Sequence, residues 1–367
     1  MGSLSNSIES KPLDEIFSIA IEAASNEPFV VSSRVSIEAA EAELSASKRA
    51  RLPVFNASIV NALTIDRKID DRNSLRKIED EGLDFRLQMI QPVFTGFTIQ
   101  SEINKNKARV SSYAIEANKN FSKTIIESVI AYVLYNSSLY QKKELQKALL
   151  RAKEILELEK KRYNAGLTNL SIFSQVRVKY SEIQLLYNQA EQNLLYHEAN
   201  YIRLFPFEEK PDGSNVSYSD YEFLGFVNNK DSYDMESLKY DLAAAEADLL
   251  KSRGARLPSV ALQITGTYYD VDGSDQEVDE YDIKGGLQAS WQILDFGANR
   301  KRVSAKRSVV SATKYKIDYQ RRVDEVLKLS LLSNIASLSQ QLNEQYLILE
   351  DLTNQSNIME AQLRSSN

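Results

Sequence analysis

Residue types that do chemistry are scarce in this sequence. Of 367 residues, none is cysteine and one, His197, is histidine. That excludes disulfides, thiolate metal sites and thiol nucleophiles, and it disfavours a transition-metal centre. His197 falls on the apolar seam of a helical stretch, the setting of a packed or interfacial side chain rather than a ligand. The densest carboxylate cluster is Asp270-Val-Asp272-Gly-Ser-Asp275-Gln-Glu277-Val-Asp279-Glu280. It offers the oxygen ligands calcium takes but lacks the Asp-x-Asp-x-Asp-Gly spacing of an EF-hand, so a solvated hairpin loop is the preferred reading. Other carboxylates mix with Lys and Arg along helix faces, as on solvated coiled coils. No nucleophile elbow, phosphate loop or zinc motif occurs. The expectation is no enzyme, no cofactor and no metal.

Composition narrows the class further. Hydrophobic content of 43% and charged content of 26% exclude a disordered chain. No run of about 18 apolar residues marks a transmembrane helix. A net charge of −6 argues against nucleic acid. The length allows two or three domains, yet 12 Gly and 7 Pro are too few for many loops. The absence of cysteine suits an oxidising compartment. Met1-Gly2-Ser3 opens neither a basic nor an apolar region, so the expectation is either a cytoplasmic protein or one whose presequence is missing.

Two kinds of element must position everything else. One is long and helical. Phe173, Val176, Tyr180, Ile183, Tyr187, Ala190, Leu194, His197 and Tyr201 recur in steps of three and four, a seam of coiled-coil period. Leu145, Ala148, Ala152 and Ile155 step the same way, as do Ile335, Leu338, Leu342, Gln345, Leu349 and Leu352. From Thr98 to Tyr163 there is neither Pro nor Gly, which predicts a helix roughly 100 Å long. Asn164-Ala165-Gly166 stops it, and the helical pattern resumes at Leu170.

The other kind alternates with period two. In 83–89 the odd positions are apolar, and in 259–268 the even ones. In 281–293, Ile283, Leu287, Ala289, Trp291 and Ile293 share one face, with Asp282, Lys284, Gln288, Ser290 and Gln292 on the other. Phe55 to Ile65 is a weaker version. These predict four strands of about 10–12 residues, with Asp66 to Gly82 as a hairpin loop. The order repeats. "ASKRARLPVF" (46–55) answers "KSRGARLPSV" (251–260) at an offset of 205, and "QPVFTGF" (91–97) answers "WQILDFG" (291–297) at an offset of 200.

Strands with one apolar and one polar face suit either a soluble β-layer or part of a membrane barrel. Length fits the roughly 9–11 tilted residues that span a bilayer. Charges at Asp84, Arg86, Asp282 and Lys284 suit water, and Tyr268, Tyr269, Tyr281 and Trp291 suit the interfaces. Four strands cannot close a barrel, and an open edge in lipid is too costly to persist, so several chains would have to share one.

"RARLPVF", "LQMIQPVFTGF", "KKRYNAGLTNLSIFSQVRVKYSEIQLLYNQAEQNLLYHEANYIRLFP", "RLPSVALQITGTYYD" and "LQASWQILDFGANRKR" resemble TolC-type outer-membrane efflux proteins. The resemblance covers most of the chain, from about Leu13 to about Gln362. It implies an α+β, mostly α fold, in which long coiled-coil helices accompany four amphipathic strands per chain. It implies a homotrimer with a shared twelve-stranded β-barrel in the cell outer membrane and an α-helical tunnel extending into the periplasm. It implies a passive exit duct in a tripartite efflux or type I secretion system, partnered by a periplasmic adaptor and an inner-membrane transporter. The turn at 164–168 would be the tunnel tip, with Lys161, Arg162, Asn164, Gly166, Leu167 and Thr168 docking the adaptor. Asp84, Arg86, Gln88, Asp282, Lys284 and Gln288 would line the barrel. The resemblance also expects a second tip and a fourth long helix beyond Asn367.

The expected organisation is N-terminal helices in 1–50, a first β-hairpin in 51–97 and a long helical hairpin in 98–205. A connector in 206–234 and a helix in 235–255 precede a second β-hairpin in 256–296 and a second long helix in 297–367. The competing reading is a soluble, elongated coiled-coil scaffold with a small β-layer.

Overall fold

In the computed structural model of the protein, residues 11–71, 74–206, 210–211, 213, 216–217, 231–272 and 280–365 are described. The elements run β1 (Lys11–Pro12), α1 (Leu13–Asn26), α2 (Pro28–Arg49), β2 (Val54–Asp71), β3 (Ser74–Phe94), α3 (Thr98–Asn164), α4 (Leu170–Leu204), β4 (Val216–Ser217), α5 (Tyr233–Gly254), β5 (Ser259–Asp272), β6 (Glu280–Ser290) and α6 (Ala298–Ser365). The fold is α+β and mostly α. The chain divides into two compact units, residues 1–40 with 113–230 and residues 41–112 with 231–367.

The first unit is helical. Every residue of the α4 seam, from Phe173 to Tyr201, is buried or half-buried, while Leu185, Leu186, Leu195 and Tyr196 on the other faces are exposed. The facing seam on α3 is Leu145, Leu149, Ala152, Leu156 and Glu159. This corrects the expected Ile155, which is exposed. Leu156 lies four residues beyond Ala152, which keeps the stripe on one face as the helix turns. Lys142 Nζ donates to Glu191 Oε1 at 2.8 Å between the two helices. At the far end of α4 the core gathers Ile16, Tyr132, Tyr135, Leu194, Tyr201, Leu204 and Phe205. Tyr201 is 1% exposed and stacks on both Tyr135 and Phe205, at centroid separations of 5.1 and 4.7 Å. β1 pairs with β4 in parallel, and the Gly213 N–H donates to Asn136 Oδ1 at 3.0 Å. The rest of the expected connector lies largely outside the described residues.

The second unit holds a four-stranded antiparallel sheet in the order β2-β3-β5-β6. Its strands are longer than expected in the first hairpin, 18 residues in β2 and 21 in β3. The loop expected at Asp66 to Gly82 is mostly strand, with only residues 72–73 between β2 and β3 undescribed. Alternation is poor there because charges interrupt it, yet antiparallel backbone pairing continues past a register shift between Thr64 and Arg67. A second correction is that β6 stops at Ser290, so Trp291 and Ile293 lie beyond the ladder. Helices α5 and α6 pack together. The expected seam on α6 at Ile335, Leu338, Leu342, Leu349 and Leu352 is exposed throughout.

Candidate functional site

The ladder sets the side-chain faces. Ser58 pairs with Arg86, Arg86 with Thr267, and Thr267 with Asp282. These polar residues therefore share one face across all four strands. Arg86, Gln88, Asp282, Lys284 and Gln288 line one open concavity of about 560 Å³ with Gln263, Thr265 and Thr267. Lys284 pairs with Asp282. Asp84 pairs with Val60 and Tyr269 and lies on the same strand face, outside the concavity's lining. The opposite face is apolar: Ala57, Ile59, Phe85, Leu87, Tyr268, Tyr281 and Ile283 line a groove with almost no polar surface. Nothing among the described residues of this unit covers it, for Ile283 is 72% exposed and Leu287 71%. Thr267, by contrast, is 7% exposed on the polar side. The two outer edges, of β2 and β6, have no strand beside them among the described residues.

The internal duplication governs the base of each hairpin. An offset of 205 on the first strand and 200 on the second turns the pair Val54↔Ile90 into Ser259↔Ser290, and both pairs are present. Gln91 Nε2 donates to the Arg51 carbonyl at 2.7 Å, and at the equivalent place Trp291 Nε1 donates to the Arg256 carbonyl at 2.9 Å. Thr95 Oγ1 accepts from the Ile99 N–H at 3.4 Å, and Asp295 Oδ2 accepts from the Asn299 N–H at 2.6 Å. Each caps the long helix that leaves its hairpin. The hydrogen bonds from the Asn299 and Gly297 N–H groups hold the Asp295 carboxyl below its usual value. Both exits pass through two consecutive left-handed residues, Gly96-Phe97 and Phe296-Gly297.

Three helices of this unit are joined by charge. Lys306 Nζ and Lys105 Nζ reach Asp248 at 2.8 and 3.2 Å, and Lys251 Nζ reaches Glu102 at 2.8 Å. Burial pushes Asp248 up, but the hydrogen bonds from Lys306 and Lys105 outweigh it and leave the carboxyl lowered. The hydrogen bond from Lys251 lowers Glu102 in the same way.

The turn between α3 and α4 is compact because each helix end satisfies itself. The Leu167 N–H donates to the Arg162 carbonyl at 2.9 Å and the Gly166 N–H to the Tyr163 carbonyl at 3.0 Å, the two bonds of a Schellman cap. Gly166 takes φ +73°, which a side chain would disfavour. Three residues on, Asn169 Oδ1 caps α4 by accepting from the Ile172 N–H at 2.9 Å. Tyr163 stacks on Phe173 across the turn at 5.2 Å. The turn thus presents Lys161, Asn164 and Leu167 outward, with Leu167 exposed at its apex and Thr168 half-buried beside it. Arg162 pairs with Glu159 at 3.5 Å.

His197 is half-buried against the Tyr196 ring, and no cluster of three or more His, Asp or Glu side chains able to hold a metal ion exists among the described residues. Most of the acidic stretch from Asp270 to Glu280 lies outside the described residues. Sequence reasoning missed Gly96 and Gly254, whose backbones cross so closely that neither has room for a Cβ. It also missed Phe296, an exposed aromatic in the left-handed region. The duplicated "FTGF" and "LDFG" held the signal.

Comparison with known proteins gives a consistent picture. A family profile described as outer membrane efflux protein matches residues 20–204, just over half of the chain. No curated protein matches the chain significantly. Among solved structures, the outer-membrane channel OprN is 16% identical, aligning 85% of this chain with 72% of its own at a TM-score of 0.68. The CmeC outer membrane channel of Campylobacter jejuni is 17% identical, with coverage of 86% and 69% and a TM-score of 0.65. The outer membrane protein VceC of Vibrio cholerae is 14% identical, with coverage of 84% and 75% and a TM-score of 0.65.

Proposed function

Because this chain belongs to the outer membrane efflux protein family, we propose that it is one subunit of a homotrimeric channel whose partners are a periplasmic adaptor and an inner-membrane transporter. The family is one of outer-membrane channel proteins, not enzymes. The channel reading assigns the chain a passive duct, with transport energy supplied by the inner-membrane partner in efflux or type I secretion.

The observation that carries this reading is the two-faced, open-edged sheet. A soluble β-layer would bury its apolar face. Here Ile59, Leu87, Ile283 and Leu287 lie open on one side while Arg86, Asp282 and Lys284 gather on the other. Lipid outside and water inside satisfy both faces at once. Roughly half of the backbone N–H and C=O groups of β2 and β6 point away from the sheet, and each left unpaired in hydrocarbon costs several kcal/mol. Summed over two edges that exceeds the stability of a typical domain, so the barrel has to be closed by other copies. Three copies supply twelve strands.

Under this reading the α3–α4 turn docks the adaptor through Lys161, Arg162, Asn164, Gly166, Leu167 and Thr168, and Asp84, Arg86, Gln88, Asp282, Lys284 and Gln288 line the lumen. The test is reconstitution in planar bilayers. Discrete conductance steps from detergent-extracted trimers are expected. A monodisperse monomer that stays dissolved without detergent and never conducts would support the scaffold instead.

A further inference from the structure

The duplication also specifies how two copies meet. Within the chain, β3 of the first hairpin pairs with β5 of the second. The repeat equivalent of β3 is β6, and that of β5 is β2. The same joint therefore requires β6 to pair with β2, which no single chain can do in the order β2-β3-β5-β6. Shifting the observed β3–β5 pairs by the two offsets gives the register. Ile90↔Gln263 becomes Ser290 opposite Ser58 of the adjacent copy, and Gln88↔Thr265 becomes Gln288 opposite Val60 of the adjacent copy.

A second observation points to the same occupant. Residues 291–293 alternate as a strand should, yet they and Leu294 lie outside the ladder. Their equivalents Gln91, Pro92 and Phe94 are strand although β2 pairs no further than Ile90. What holds them is β5, through Gln91↔Leu262, Pro92↔Ala261 and Phe94↔Val260. The segment after Ser290 lacks only the neighbour that β5 provides in the first half. Trp291, Ile293 and Leu294 stand 60–82% exposed in consequence.

We infer that β6 and its continuation through Leu294 pair antiparallel with β2 of an adjacent copy, with Ser290 opposite Ser58 and Leu294 opposite Phe55. This rests on the trimeric reading and adds the register and the residues of the joint. It also gives Phe296, 94% exposed, an occupation. A Cβ at its equivalent Gly96 would lie 3.5 Å from the Leu257 Cβ, and the equivalent of Leu257 is Leu52, itself exposed. Phe296 therefore packs on Leu52 of the adjacent copy. The joint inside the chain is backbone on backbone, because Gly96 meets Gly254. Between copies Phe296 and Arg49 stand at those places, so the crossing is wider and filled by side chains.

These 367 residues contain no cysteine, so engineered thiols report alone. Ser58→Cys combined with Ser290→Cys, oxidised in detergent-extracted full-length chains, should give a covalent ladder of dimer and trimer that neither single variant gives. Ser58→Cys combined with Gln288→Cys or with Gln292→Cys tests a two-residue slip in either direction. Those diagonal pairs sit about 7–8 Å apart, beyond disulfide reach, and the ladder should be lost. A trimer by native mass whose ladder comes from a slipped pair, or from no pair, overturns this register and leaves the trimeric reading standing. A monomer by native mass overturns both.

Discussion

Three glycines make opposite predictions about what one methyl group does. Gly166 has φ +73° and open space where a Cβ would go, so Gly166→Ala bears only the backbone cost of the left-handed region, about 1–2 kcal/mol. Chemical denaturation should show that loss with the fold retained. At Gly96 the same change adds a collision with the Gly254 carbonyl, and at Gly254 a collision with the Gly96 carbonyl. Gly96→Ala or Gly254→Ala should prevent accumulation of folded protein in the outer membrane, as read by protease resistance of membrane fractions. If either behaves like Gly166→Ala, the close crossing is not a requirement of the fold. The carboxylates give a pH prediction. Asp248 and Glu102 are both lowered by their lysine partners. Groups lowered on folding contribute stability above their unfolded values, and it is lost as pH falls through the folded ones. The α3–α5–α6 junction should therefore be stable at neutral pH and loosen below about pH 4. Asp248→Asn should flatten that dependence in thermal melts across pH 3–7. An unchanged acid limb would exclude the network as its source.

Among the elements, the helices were legible as helices, and on α4 the buried face was legible too because its seam repeats over many turns. The seam expected on α6 from Ile335 to Leu352 is instead exposed. The α4 positions from Phe173 to Tyr201 all turned inward, since each turn repeats the same decision and errors do not accumulate. On α3 a one-residue choice, Ile155 or Leu156, could not be made from a short run in which both adjacent residues are apolar and each continues a step of three or four from Ala152. Strand β5 and most of β6 were legible by alternation, but the extension of β2 and β3 through Asp66 to Gly82 was not. There pairing runs through the backbone, which the charged side chains do not advertise. Trp291 and Ile293 read as strand from their pattern but lie beyond the ladder of the single chain; under the inferred joint it is the adjacent copy that pairs them. The Gly96–Gly254 crossing was invisible because its partners are far apart in sequence. At this scale Tyr201 is the largest fully buried side chain among the described residues of the helical unit, 1% exposed and stacked on two rings. Tyr201→Ala should cost about 3–5 kcal/mol and lower the melting temperature accordingly. A change below about 1 kcal/mol would mean that the cluster re-forms around the gap.

At the scale of the whole molecule, the account needs a partner at the tip and other copies at the sheet. Leu167 is 71% exposed at the apex of a turn closed by backbone hydrogen bonds and the Asn169 cap, none of which uses its side chain, so replacing that side chain leaves the fold alone. Leu167→Asp should retain trimer and conductance but lose drug or protein export in cells, with adaptor pull-down as the direct check. Export at the original level would remove the turn from the docking surface. The central claim is that the sheet divides lipid from water. Thiol accessibility along β6 in intact membranes tests it most directly, using a water-soluble maleimide on single-cysteine variants. Asp282→Cys, Lys284→Cys and Gln288→Cys should label, and Ile283→Cys and Leu287→Cys should resist until detergent is added. Uniform labelling along β6, or labelling with the faces reversed, would contradict the account.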